Sequence, residues 1–196
     1  MLKRIFDLSF SAIALVLLSP LLLVIAVAIK LKSKGPVFYR QARVGLRNTD
    51  FMIYKFRTMY TGSDRHGLIT VGGRDSRITP VGYFLRKYKL DELPQFLNVL
   101  KGEMSLVGPR PEVRKYVELY TAEQRKVLSV KPGITDYASI DYSNENELLG
   151  KASDPDREYI NNIMPAKLAL NLEYIRDQNF ATDLKIMWRT IVKIVT

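Results

Sequence analysis

The sequence predicts a mainly helical protein of the α+β class, with one long apolar helix at the N-terminus and a few short strands. Two observations predict this fold. Residues 8–29 contain no charged side chain and consist mostly of Leu, Ile, Val and Ala. Most of the remaining chain has helical composition, broken by short aromatic and β-branched pieces, with no internal repeat and no dinucleotide fingerprint.

Length, charge and composition exclude several classes of protein. A chain of 196 residues with 47% apolar residues fits one domain plus an appendage and excludes a disordered chain. The absence of cysteine excludes disulfides, thiol catalysis and cysteine-ligated metals, and a single histidine, His66, argues against histidine-based catalysis. A formal charge of +10 indicates an anionic partner such as nucleic acid, a phosphorylated substrate or an acidic lipid surface.

The apolar run from Leu8 to Ile29 predicts a membrane helix. As a straight helix it would reach roughly 33 Å, about the thickness of the hydrocarbon core. A cleavable signal peptide is the alternative, but its apolar region is shorter, about 7–15 residues, and ends in a small-residue cleavage site. Here Lys30 and Lys32 follow the run instead.

The topology of this helix depends on Ser19 and Pro20, which lie in its middle. A proline inside a helix removes one hydrogen bond and bends the helix. Basic residues flank both ends, and the positive-inside rule favours the cytoplasm for each flank. A re-entrant helix over 1–34, broken at Ser19-Pro20, satisfies both flanks; a bitopic span with a tolerated proline is the alternative.

A cytoplasmic domain is expected over residues 35–196. A strand is predicted at 51–56 and a polar, glycine-rich loop, containing His66 as a bystander, at 61–77. Helices are predicted at 81–88, 95–100, 111–130 and 165–178.

The last predicted helix, at 183–196, is amphipathic. A basic stripe runs along it at spacing four, which suits the headgroup region of a membrane. A helix packed on the core with a solvated basic edge is the alternative. Its apolar face comprises Leu184, Met187, Trp188, Ile191, Val192 and Val195.

The segment 136–158 is acidic in an otherwise basic chain. It holds seven acidic and two basic residues, so the rest of the chain carries a formal charge of +15. We expect this segment to be a loop turned to water that contributes to substrate specificity. An ordinary solvated loop is the alternative.

Asp91 and Glu92 are the candidate catalytic residues. They directly precede Pro94, a residue favoured in the first turn of a helix, where free N–H groups suit a carboxylate and an incoming phosphate. A carboxylate can attack phosphorus, provided that Mg²⁺ and basic side chains neutralise the charge of the substrate. Taken alone, the acidic pair also fits a helix cap and the basic residues fit solvated charges. The candidate phosphate-binding residues are Lys55, Arg57, Arg86 and Arg110.

Taken together, these segments resemble the bacterial sugar transferase family, the small monotopic phosphoglycosyl transferases. The resemblance covers nearly the whole chain, and its motifs occur in the right order. They are Ser19-Pro20, Gly35-Pro36-Val37-Phe38-Tyr39-Arg40-Gln41, Arg43-Val44-Gly45, Tyr54-Lys55-Phe56-Arg57-Thr58-Met59, Arg77-Ile78-Thr79, Leu90-Asp91-Glu92-Leu93-Pro94-Gln95, Ser105-Leu106-Val107-Gly108-Pro109-Arg110-Pro111 and Lys131-Pro132-Gly133-Ile134-Thr135.

The resemblance implies an enzyme on the cytoplasmic face of a bacterial membrane, with a re-entrant helix broken at Ser19-Pro20. It implies transfer of a sugar-1-phosphate from a UDP-sugar to polyprenol phosphate, with release of UMP, as the first membrane step of glycan assembly. Asp91 would be the nucleophile and a ligand of Mg²⁺, and Glu92 would support it. The donor, the acceptor and membrane phospholipid are then the partners, and no nucleic acid is expected.

The chain departs from the family pattern at several positions. Asp136 stands where many members have glycine, and no Lys or Arg lies between Lys131 and Lys151, where familiar members carry an arginine. Lys89 replaces a small hydroxyl residue, and Ser76 replaces a common proline. These departures leave the donor sugar open.

Two other functions remain as alternatives at this stage. A non-catalytic, membrane-anchored protein that binds acidic lipid or nucleic acid would account for the charge but not for carboxylates among arginines. A glycosyltransferase that moves the sugar without its phosphate would release UDP instead of UMP.

Overall fold

The structure is a computed structural model that describes residues 1–63, 70, 72 and 75–195. The predicted loop at 61–77 falls largely outside these residues, and so does His66. The side chain of Val195 also lies outside them.

Nine helices and four strands are found in this part of the chain. Short 3₁₀ turns accompany them, and a π-helical turn, Tyr159–Ile163, joins two of the helices. The helices are α1 (Leu2–Lys32), α2 (Pro80–Lys87), α3 (Gln95–Lys101), α4 (Arg114–Val117), α5 (Tyr137–Asp141), α6 (Glu145–Lys151), α7 (Pro155–Glu158), α8 (Met164–Arg176) and α9 (Phe180–Val195). The strands are β1 (Phe38–Val44), β2 (Asp50–Phe56), β3 (Ser105–Val107) and β4 (Gly133–Thr135). The predicted class, mainly helical with a few short strands, is therefore confirmed.

The strands form two small sheets that carry site residues. In the antiparallel hairpin of β1 and β2, Phe38 pairs with Phe56 and Tyr39 pairs with Lys55. β3 and β4 are parallel and meet closely where Gly108 follows β3. A Cβ atom on Gly108 would lie 2.4 Å from the carbonyl oxygen of Lys131, so only glycine permits this approach.

Helix α1 is continuous through Pro20, so the predicted break at Ser19-Pro20 is not an interruption of the helix. The local contacts give the reason. Pro20 has no N–H to donate to the carbonyl of Val16 four residues earlier, and the Ser19 hydroxyl donates to that carbonyl instead, at 2.8 Å. Among the described residues, α1 is the one helix long and apolar enough to cross a membrane.

The N-terminal end of α1 is fixed to the domain by charged side chains. The Lys3 ammonium lies 2.6 Å from the Asp183 carboxylate of α9. Arg4 donates to the carbonyl of Val99, at 2.7 Å. The buried Asp7 carboxylate accepts from the Ser105 hydroxyl, at 2.8 Å.

The C-terminal end of α1 contacts the same domain. Ile25 and Ile29 are buried with Phe56 of β2 and Leu85 of α2. Between these two contact regions no residue from 12 to 24 is buried. The buried residues of α1 therefore lie only in its two end regions, both of which contact the domain.

Two sequence predictions are corrected here. The predicted helix at 111–130 is only α4 plus a separate 3₁₀ turn, Gln124–Ser129. The segment 136–158 is not a loop, because it forms α5, α6 and α7; its other acidic residues are at least partly exposed to water, but Asp136 is completely buried. Asp136 caps α5 by accepting from the N–H of Ser139, at 2.6 Å.

Two further helices match their predictions. The predicted helix at 165–178 is confirmed by α8, which begins at Met164, just before Pro165. The π-helical turn directly precedes α8 and extends it toward the N-terminus. Helix α9 matches the predicted amphipathic helix. It buries Ile186 against β3 and β4, while Leu184, Trp188, Ile191 and Val192 of the predicted apolar face stay exposed. Met187 of the same face packs partly against the core, and an interfacial position for α9 stays a prediction.

Candidate active site

Asp91 and Glu92 lie on a 3₁₀ turn, Leu90–Glu92, between α2 and α3. The preceding residue, Lys89, adopts the left-handed backbone conformation, with φ of 54°. This sharp entry separates the turn from α2, and Pro94 leads directly into α3. The pair therefore sits on a short, constrained connection, just before a helix as expected.

Glu92 is held by two cations. Its carboxylate lies 2.9 Å from the Lys55 ammonium, and the Arg110 guanidinium donates to both of its oxygens. Burial alone would raise the pKa of Glu92, but the charges of Arg110 and Lys55 hold this pKa well below its ordinary value. Glu92 is thus a fixed anion that orients two cations toward the cleft.

Asp91 is in a different electrostatic state. It is 7% exposed, and no hydrogen bond joins its carboxylate to any side chain in the described part of the chain. Burial raises the pKa of Asp91, and the neighbouring Glu92 charge raises it further, against the charges of Lys55 and Arg86. Two adjacent carboxylates with opposite shifts are suited to separate roles, and Asp91 is the one left available for reaction.

Arg86 projects from the last turn of α2. Its guanidinium donates to the hydroxyls of Thr58 and Thr70, each at 3.0 Å. Burial lowers the pKa of Arg86 from its ordinary value, and the Asp91 charge opposes this shift. Arg86 therefore remains a cation near Asp91, as a phosphate-binding role requires.

Arg110 is positioned by the main chain as well as by Glu92. Its backbone N–H donates to the Asp136 carboxylate, at 3.2 Å. The residue lies just beyond β3, where Gly108 permits the close approach to β4. The flanking residues Pro109 and Pro111 restrict the backbone around Arg110, whereas the anchoring by Asp136 carried no sequence signal.

Arg57 has contacts that count against its predicted phosphate-binding role. Its buried guanidinium donates to the main-chain carbonyls of Ser33, Lys34 and Pro36, at 2.7–3.0 Å. These hydrogen bonds hold the segment that follows α1 next to the end of β2. A phosphate-binding function for Arg57 stays a prediction.

The acidic pair opens onto a cleft of about 430 Å³. Its lining includes Asp91, Glu92, Lys55, Arg57, Arg86 and Arg110, so the structure brings these predicted residues together. A second group of lining residues, the cleft wall, was missed by sequence reasoning, because its members come from β1, α5, α8, the segment before α4 and the π-helical turn without a recognisable spacing. The cleft wall comprises Arg43, Glu112, Ser139, Tyr159, Lys167 and Asn171.

The residues around Asp91 fit one mode of magnesium binding. Mg²⁺ is commonly held by one or two carboxylates together with water and substrate phosphates. No cluster of three or more metal-ligating side chains occurs among the described residues, so a cage made entirely of protein ligands is not present there. The unpartnered Asp91 carboxylate suits the first mode, in which the substrate supplies the remaining ligands.

The fold and this site define a class of protein. The family model of the bacterial sugar transferases matches residues 1–196, so the chain belongs to this family. The resemblance suggested by the sequence motifs is therefore confirmed.

Particular relatives carry more specific names. The chain is 42% identical over 199 residues to a UDP-N-acetylgalactosamine-undecaprenyl-phosphate N-acetylgalactosaminephosphotransferase of Aeromonas hydrophila, covering 99% of this chain and 44% of that protein. It is 40% identical to a UDP-glucose:undecaprenyl-phosphate glucose-1-phosphate transferase of Klebsiella pneumoniae, covering 97% of this chain and 39% of the relative. With the uncharacterized sugar transferase EpsL of Bacillus subtilis, it shares 38% identity over 99% of this chain and 87% of that protein. The chain spans about two fifths of the length of the first two relatives.

Proposed function

We propose that this chain transfers a sugar-1-phosphate from a UDP-sugar to polyprenol phosphate, releasing UMP and forming polyprenyl-diphosphate-sugar. The observation that carries the proposal is the buried Asp91 carboxylate, which has no hydrogen-bond partner among the described residues and lines one cleft with Lys55, Arg86 and Arg110. Such a site suits attack on an anionic diphosphate. The names of the relatives, two of which are undecaprenyl-phosphate sugar phosphotransferases, support the same reaction.

The reaction proceeds in two steps through Asp91. A carboxylate oxygen of Asp91 attacks the phosphorus that carries the sugar, and the bond from this phosphorus to the bridging oxygen breaks. UMP leaves with the bonding electrons. An oxygen of the lipid phosphate then attacks the same phosphorus, which releases the Asp91 carboxylate and forms the lipid diphosphate.

The surrounding residues lower the cost of bringing anions together. Lys55 and Arg110 are fixed by Glu92, so they face the diphosphate without reorganising during the reaction. Arg86 adds a third cation beside Asp91. Mg²⁺, bound by Asp91 and substrate phosphates, would neutralise charge on the diphosphate and its leaving oxygen.

The acceptor is a membrane lipid, and two elements suit a membrane surface. Helix α1 contacts the domain at both ends and has no buried residue from 12 to 24. A helix that enters the bilayer and returns to the same face matches these contacts, since a bitopic helix would place one end far from the domain. Helix α9 lies at the interface, with Trp188 among its exposed apolar residues.

We propose that the enzyme acts on the cytoplasmic face of the bacterial inner membrane, and its membrane-facing elements support this location. There the soluble nucleotide sugar and the lipid acceptor meet at one site. The product begins a lipid-linked glycan of the O-antigen, capsule, exopolysaccharide or glycoprotein kind.

The nucleotide product tests the reaction class. The purified protein in lipid nanodiscs is incubated with Mg²⁺, undecaprenyl phosphate and each of several UDP-sugars, and the nucleotides are separated by chromatography. We expect UMP in the same amount as the lipid product. Release of UDP would show transfer of the sugar without its phosphate, and no release with any donor would favour a non-catalytic protein.

The topology of α1 can be tested separately, because the chain has no native cysteine. The variants Leu2→Cys and Lys34→Cys each place a single thiol at one end of the helix. A membrane-impermeant maleimide should label neither thiol in intact cells and both thiols once the membrane is opened. Labelling of Leu2→Cys alone in intact cells would show a bitopic helix.

A further inference from the structure

Two buried polar atoms on the wall of the cleft lack a partner. Within the described part of the chain, the Asn171 amide oxygen and the Ser139 hydroxyl are buried and make no hydrogen bond. Asn171 is only 4% exposed, and both residues line the cleft. An unpaired buried polar atom destabilises the fold, so its presence on a cleft wall indicates a group that awaits a ligand.

Hydrogen bonds link Ser139 to the catalytic residues. The N–H of Ser139 donates to Asp136, and the same carboxylate accepts from the backbone N–H of Arg110. Arg110 in turn contacts Glu92. A substrate whose diphosphate is held by Arg110 therefore has its next group within reach of this wall.

The charged residues that line the cleft do not all balance. Near Asp91, the cations Lys55, Arg86, Lys89 and Arg110 outnumber the carboxylates Asp91 and Glu92. Other charges of the lining are paired one to one: Lys167 lies 2.5 Å from Glu145, and Arg43 lies 3.1 Å from Glu112. The excess of cations attracts an anionic diphosphate, and a neutral polar group suits the region of paired charges.

A UDP-sugar has two neutral parts, the sugar and the nucleobase. A nucleobase is commonly bound by stacking on an aromatic face, but the tyrosines of this wall are packed within the core. Tyr159 lies with its ring centroid 5.0 Å from that of Tyr116, and Lys167 covers the Tyr159 ring. The wall therefore offers hydrogen-bonding groups more than stacking faces, which suits the hydroxyls of a sugar ring.

We infer that Asn171 and Ser139 form a sugar subsite, in which they hydrogen-bond hydroxyl or acetamido groups of the donor sugar and Asn171 discriminates between sugars. This inference rests on the proposed function. Asn171 lies outside the acidic segment 136–158, so the subsite extends the specificity region onto α8. When a subsite pairs with a particular polar group of the sugar, a donor without that group binds weakly, because the buried polar atoms of the subsite then stay unpaired.

The test compares wild type with Asn171→Leu and Ser139→Ala. Asn161→Leu is the matched control, since Asn161 is exposed and lies on the turn just before α8. Four donors are assayed with undecaprenyl phosphate: UDP-glucose, UDP-galactose, UDP-N-acetylglucosamine and UDP-N-acetylgalactosamine. The inhibition constant of UMP, which has no sugar, and the melting temperature are measured for each variant.

For Asn171→Leu we expect kcat/KM of the preferred donor to fall about tenfold, which corresponds to the loss of one hydrogen bond to the substrate. The ratio of kcat/KM between the preferred donor and the other donors should become smaller. UMP inhibition and the control should be unchanged. The melting temperature should not fall, since no partnered group is lost.

Two results would overturn the inference. Unchanged ratios of kcat/KM between donors in Asn171→Leu would show that this wall does not bind the sugar. If the substitution weakens UMP inhibition as much as it lowers kcat/KM of the donor, the wall binds the nucleotide instead. Failure of the proposed function is distinct, since the wild-type protein would then release no UMP with any donor.

Discussion

The link between Glu92, Arg110 and Lys55 makes a quantitative prediction for the variant Glu92→Gln. The substitution keeps the shape of the side chain but removes the charge that holds two cations. Because those cations keep the pKa of Glu92 well below its ordinary value of 4.5, folding favours the ionised carboxylate. This contribution to stability is therefore present above pH 4.5 and is lost as pH falls through the lower pKa of the folded state.

The size of the effect follows from the burial of the three groups. Removing one member of a buried ion pair costs about 3–5 kcal/mol, since the remaining charges stay in a poorly solvated site. The glutamine oxygen still accepts a hydrogen bond from Arg110, so we expect a loss of about 3 kcal/mol. For a chain of this size, that loss lowers the melting temperature by roughly 6–12 °C.

Thermal unfolding followed by circular dichroism in a neutral detergent measures this loss. Near neutral pH, Glu92→Gln should melt below wild type, and the difference should shrink as pH falls below 4.5 toward the lower pKa of the folded carboxylate. Glu118→Gln, at an exposed glutamate, is the control and should change little. Equal melting temperatures for Glu92→Gln and wild type near neutral pH would refute the reasoning.

Three further predictions concern other parts of the molecule. Asp91→Asn should abolish transfer and raise the melting temperature at neutral pH. The pKa of Asp91 is raised in the folded state, so the ionised carboxylate destabilises the fold above that pKa, and the amide does not. A melting temperature below that of wild type would contradict this. In Gly82→Ala the added Cβ would lie 1.9 Å from the Thr58 carbonyl oxygen. We expect this overpacking to cost about 2 kcal/mol and to lower the melting temperature by about 4–8 °C. An unchanged melting temperature would contradict the close contact. The fluorescence of Trp188, the single tryptophan of the chain, should be quenched by brominated lipids in nanodiscs, and an unquenched signal would argue against an interfacial α9.

Prediction from sequence was most successful for the candidate site, because the type and the order of its residues indicate their chemical role. Asp91, Glu92, Lys55, Arg86 and Arg110 were all predicted, and they meet in one cleft. The long apolar helix and the amphipathic C-terminal helix were equally clear, because hydrophobic periodicity is a strong local signal.

The parts that failed depend on distant contacts. The helix predicted at 111–130 is interrupted because α4 and the turn after it pack separately on the core. The acidic segment was predicted to face water, yet Asp136 is buried because it caps α5 and anchors Arg110. The contacts of Arg57 also depend on distant residues, since nothing local indicates that its guanidinium binds three main-chain carbonyls, while its phosphate-binding role stays a prediction.

The flanks of α1 show how one pattern can serve two roles. Lys3 and Arg4 were interpreted as topology signals, and both also contact the domain directly. Sequence spacing cannot reveal such contacts, because Lys3 and its partner Asp183 lie at opposite ends of the chain.

The central claim is that Asp91 forms a covalent bond to the sugar phosphate. The most direct test is the intact mass of the purified protein after incubation with Mg²⁺ and a UDP-sugar, without the lipid acceptor. A mass gain of one phosphosugar, absent in Asp91→Asn, is the predicted result. No adduct with any donor, with UMP released only once polyprenol phosphate is added, would contradict the covalent route and leave Asp91 as a metal ligand or a base.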